Sequence, residues 1–88
     1  MSKAVEAVKE EIMREFKPQK IDETQDADDI QITVLSFSAE GRDFSVKIQW
    51  QFAQDYPETR YRVDLKRLGT ILRAKGRAAV TGTGVVPL

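Results

Sequence analysis

Between Arg60 and Arg77 the chain carries seven cations, Arg60, Arg62, Lys66, Arg67, Arg73, Lys75 and Arg77, against a single acid, Asp64. Side chains of this type at this density are suited to binding anions. Arginine offers a planar fork of N–H donors that matches the edge of a phosphate or carboxylate, and clustered cations gain affinity for a phosphate backbone by releasing its counterions. Arg60, Arg62, Lys66, Arg67, Arg73 and Lys75 are therefore the candidate contacts for nucleic acid or another anion. Two features restrain that reading: the isoelectric point is near 6.3, and an acidic run from Asp22 to Asp29 would repel a phosphate backbone lying close to it. The plainer alternative is that the late cations pair with acids elsewhere in the chain, as surface charges usually do. Such acids are plentiful, because residues 1–58 carry a net charge of −6 and residues 59–88 a net charge of +6, which sum to the formal charge of zero.

Other chemistries find little to work with. Histidine and cysteine are both absent, which removes the commonest general base, the usual soft metal ligands and the thiol nucleophile. The carboxylates Asp22, Glu23, Asp28 and Asp29 lie in a stretch too polar to desolvate them, and a solvated carboxylate keeps an ordinary pKa that suits acid–base catalysis poorly. That stretch also lacks the glycine and the terminal glutamate of an EF-hand loop. Thr81-Gly82-Thr83-Gly84 is the nearest approach to a phosphate loop, but no lysine follows it and no helical pattern is left after it. The expectation is a protein that is not an enzyme and uses no metal or cofactor.

The elements that must position the cations can be read from periodicity. Val5, Val8, Ile12 and Phe16 recur at helical spacing after Ser2, a good N-cap, and Lys17-Pro18 stops the pattern, so a helix is expected over about 3–16. Residues 18–29 hold one large apolar side chain, Ile21, and read as an exposed acidic loop. Two β-rich runs, 30–38 and 44–52, flank Ala39-Glu40-Gly41-Arg42-Asp43 and form a hairpin. A three-residue loop with Gly41 in the left-handed position would set Val34 opposite Val46, Ile32 opposite Ile48 and Ile30 opposite Trp50. Leu35 and Phe37 then point to the other face, where another element, a bulge or a partner protein must cover them; they are the candidate protein contacts. A short strand at 60–64 and a helix at 65–75 follow, with Gly76 as the residue after the helix. The end of the chain, 77–88, reads as a tail or an edge strand.

Together these elements predict an α+β fold: a two-layer αββ(β)α sandwich whose antiparallel sheet is built on the 30–52 hairpin, with two helices on one face. At 88 residues there is room for one core, placed in residues 1–76. Its expected members are Val5, Val8, Ile12, Phe16, Ile30, Ile32, Val34, Val46, Ile48, Trp50, Leu68 and Leu72. The order helix, strand, strand, strand, helix resembles that of the double-stranded RNA-binding domain in topology alone, without residue signatures of that family.

The absence of cysteine rules out disulfides, residues 1–16 lack the pattern of a signal peptide, and no apolar run approaches the ~18–20 residues that cross a bilayer. A cytoplasmic protein with no membrane contact is expected. Its function is expected to be that of a small non-enzymatic interaction module binding another protein or itself, the alternative being a nucleic-acid-binding domain using the basic segment 60–77.

Overall fold

A computed structural model of the chain describes residues 3–25, 32–49, 65–81 and 84–88. Within them lie two helices and a mixed five-stranded sheet, an α+β fold. The elements are α1 (Lys3–Glu15), β1 (Asp22–Gln25), β2 (Ile32–Ala39), β3 (Arg42–Gln49), α2 (Leu68–Lys75), β4 (Arg77–Thr81) and β5 (Gly84–Pro87). Sheet order follows chain order; every neighbouring pair is antiparallel except β3 and β4, which run parallel.

α1 forms where the periodicity places it, and its apolar stripe of Val5, Val8, Ile12 and Phe16 is buried. At its end the Lys17 N–H donates to the Met13 carbonyl (3.2 Å) with Lys17 at φ 50°, a left-handed cap, and Pro18 ends the helix.

The hairpin departs from the expected register. Ala39 pairs with Arg42, so the loop is the two-residue Glu40-Gly41, at φ 54° and 74°, the type I′ geometry that matches strand twist. Phe37 thereby faces Phe44, Leu35 faces Val46 and Thr33 faces Ile48. The physical reason lies in what the shift buries. Holding Glu40 in the left-handed region costs about 1–2 kcal/mol, whereas each large apolar side chain taken from water contributes about 1.5–3 kcal/mol. Leu35 and Phe37, expected on the second face, are consequently core residues at 0% and 5% exposure, while Ile32 and Val34, expected in the core, are half-buried on the opposite face.

Two further expectations change. The acidic loop contains β1, an exposed edge strand laid against β2. Residues 77–88, read as a tail or edge strand, make two strands: β5 is an edge strand as that reading allowed, while β4 lies inside the sheet with Ala78, Ala79 and Val80 buried. A purely antiparallel sheet is not what forms: β3 and β4 pair in parallel, and α2 lies between them in the chain. That parallel pair and the additional strands separate the topology from that of the double-stranded RNA-binding domain.

α2 ends at Gly76, at φ 79°, whose N–H donates to the Leu72 carbonyl (2.7 Å). Gly69 answers a different need: a β-carbon there would stand 2.8 Å from Cγ of Glu15, so a larger residue would push aside the side chain that pairs with Arg73. Just past β5, Leu88 donates its N–H to the Arg77 carbonyl. The alternation of an antiparallel ladder then turns the backbone of Val85 and Pro87 toward the open edge, where proline has no N–H to offer.

One core joins these elements. The buried residues of α1 and α2 cluster with Leu35, Phe37, Phe44, Val46, Ile48, Ala78, Val80 and Val85. Phe16, Phe37 and Phe44 close one end of it as a trio of rings with centroids 5.0–5.2 Å apart. The Ser2 cap, Ile30, Trp50 and the 60–64 strand lie outside the described residues. No helix among the described residues is long and apolar enough to cross a membrane.

Candidate functional site

The late cations divide into two groups. Arg73, in the last turn of α2, is tied down from three sides. Its Nη1 lies 2.7 Å from Glu15 Oε1, its Nε and Nη2 donate to the two oxygens of Glu40 at 3.2 and 3.1 Å, and its Cζ stands 4.6 Å from the Phe16 ring centroid. Arg42 completes the cluster, donating to the Arg73 carbonyl (2.6 Å) and lying over Phe44 with its Cζ 5.0 Å from the centroid. One guanidinium thus joins the end of α1, the β2–β3 turn and α2. The hydrogen bond from Arg73 holds the Glu15 carboxyl below its ordinary range, and the bonds from Glu40 and Glu15 raise the already high pKa of Arg73. Arg73 was expected as an anion contact; its donors are instead spent within the fold.

Lys66, Arg67, Lys75 and Arg77 are exposed and make no ion pair among the described residues. Arg60 and Arg62 lie outside those residues, so the six candidate contacts are brought together only in part: Lys66 and Arg67 precede α2, and Lys75 sits at its far end. Elsewhere charge serves docking, as where Lys9 of α1 pairs with Glu23 of β1, a bond that raises the lysine pKa.

A further feature was not foreseen. The ladder sets Asp22, Ser36, Ser45 and Arg77 side by side across β1, β2, β3 and β4, all on the face opposite Leu35. With Lys20, Ser38 and Asp43 they line an open depression of about 540 Å³ whose margin reaches Phe37, Phe44 and Gly76. Within it Lys20 Nζ stands 3.8 Å from Asp22, and Ser38 donates to Asp43 at 2.6 Å. The Arg77 guanidinium and the hydroxyls of Ser36 and Ser45 have no such partner among the described residues. The available sequence signal was the placing of serines at alternate positions, Ser36 and Ser38, in an otherwise apolar strand. Their relation to Arg77 depends on a parallel pairing that no local pattern encodes.

No cluster of three or more carboxylates that could hold a metal ion occurs among the described residues. No protein family, curated protein or solved structure matches this chain.

Proposed function

We propose that this chain is a small non-enzymatic interaction module that binds another protein or a second copy of itself, with α1 and α2 layered together on one face of the sheet. The layering is supported by the single cluster in which both helices meet Leu35, Phe37, Phe44 and Val46, residues that alternate onto one side of their strands. The other side is then the working surface. The observation that carries the reading is on β5 and just beyond it: Val86 and Leu88, 39% and 58% exposed, stand two residues apart and project in the same direction, away from the core. Large apolar side chains left together in water at a sheet margin favour contact with another protein. The absence of histidine and cysteine from the chain supports a role without catalysis. Sedimentation velocity over a hundredfold concentration range, with the V86S/L88S variant in parallel, provides the test for self-association, and a pull-down with the same pair provides it for a partner. Association that the double variant abolishes is expected. Monomeric behaviour throughout with nothing captured would defeat the reading.

A second reading rests on Lys66, Arg67 and Lys75, which are exposed and unpaired among the described residues and could contact phosphates. Titrating labelled RNA and DNA at two salt concentrations separates the two, since phosphate contacts weaken as salt rises. No binding at low salt eliminates it.

A further inference from the structure

We propose that the depression between β1 and β4 is a binding site for a small molecule bearing an oxyanion, with Arg77 as the principal anchor and the hydroxyls of Ser36 and Ser45 as its floor. The argument begins with which groups are free. Of the charged side chains lining it, Lys20 stands 3.8 Å from Asp22, and Asp43, whose Oδ1 accepts from Ser38 at 2.6 Å, keeps its negative charge two residues before Ser45 on β3. Arg77 is exposed and unpaired among the described residues, and the Ser36 and Ser45 hydroxyls are equally unspent. The donors left without a partner are the N–H fork of a guanidinium and two rotatable O–H groups, set in a row across β2, β3 and β4.

The sheet sets their order. Ser36 pairs with Ser45 and Ser45 with Arg77, so the three stand on consecutive strands, on the same face. At about 4.8 Å per strand, the row from Asp22 to Arg77 spans roughly 14 Å. A carboxylate or phosphoryl group seated over Ser45 can therefore receive hydrogen bonds from both hydroxyls while taking the arginine fork edge-on. Strands rather than loops carry these donors, so they are already in place. A volume of about 540 Å³ falls within the roughly 300–1,000 Å³ of small-molecule sites. The remaining space, bounded by Gln19, Lys20 and Asp22 on β1's side, accepts the rest of the ligand.

The test is an amide NMR titration of the full chain with sodium phosphate and, separately, sodium acetate at constant ionic strength. Saturable shifts centred on Ser36, Ser45, Gly76 and Arg77 are expected with at least one of them. Saturation by phosphate alone assigns a phosphoryl group, by acetate alone a carboxylate, and by both the shared oxyanion chemistry. R77Q should weaken binding at least about tenfold and R77K, which keeps the charge without the fork, by less. S45A should weaken it by about threefold to tenfold, and K17Q, at an exposed cation that does not line the depression, should leave it unchanged. Shifts that grow linearly without saturating, an effect of K17Q equal to that of R77Q, or a response to an oligonucleotide but to neither small anion would each overturn the proposal. The Arg77 carbonyl accepts a hydrogen bond from Leu88, so the titration is repeated on V86S/L88S: saturable shifts retained there, whatever that variant does to association, separate this outcome from that of the interaction reading above.

Discussion

The two faces of the hairpin are built from interleaved residues of the same strands and behave as opposites. On one, Leu35, Phe37, Phe44, Val46 and Ile48 are all at most 5% exposed and share a core with both helices. On the other, Ile32, Val34, Ser36, Ser45, Lys47 and Gln49 are half-buried and mix aliphatic, hydroxyl and charged groups. Since strand side chains alternate strictly, a single residue of register exchanges the two sets. What decides between them is the size of the side chains: the register that stacks Phe37 on Phe44 at 5.2 Å wins over one that would set Phe44 against Ser36. A small protein with one core places its largest rings inside and lets a glutamate take a strained turn to do it.

Truncation across the two faces should break the comparison most sharply. F37A is expected to cost about 3–5 kcal/mol, against about 1 kcal/mol for V34A on the half-buried side, measured by urea unfolding. Equal costs would mean that the register is misassigned. A gain rather than a loss is expected at Thr33, the polar intruder on the apolar face, fully buried with its hydroxyl lacking a partner. T33V keeps the shape and removes the orphan oxygen, and should raise stability by about 1 kcal/mol in the same assay.

The exposed ties around Arg73 come last. R73Q should lower Tm, and E15Q added to R73Q should lower it little further, because the two side chains share one bond. The acid limb of stability carries the same signature. Glu15 titrates below its ordinary value in the folded chain, so its contribution is present above the ordinary carboxylate range and is lost as the pH falls through the folded value. Stability followed from pH 7 to about pH 3 should fall less steeply in E15Q than in the unmodified chain.

How much of this was legible depended on the distance over which each decision is made. α1 was readable because the spacing of Val5, Val8, Ile12 and Phe16 and the stop at Pro18 are both local. The hairpin was readable as a hairpin, but its register was not, since Glu40 carries no mark of the left-handed conformation it adopts and Arg73, which holds its carboxylate, lies 33 residues away. β4 and β5 were obscured by the glycines of a segment whose order comes from pairing with β3 and with each other. The candidate site followed the same rule. The charge of the basic segment was visible, yet which cation is spent and which is free was settled by partners from α1 and the turn. Ser36, Ser45 and Arg77 become neighbours only when the parallel strand closes.

Pro87 has a consequence for how copies of this protein can meet. Ordered fibres lengthen along the hydrogen-bonding direction, each new strand copying the one before it, and at the β5 margin the outward ladder has a missing rung where proline stands. A strand added at this margin would meet that missing rung, so this edge is a poor template for endless growth.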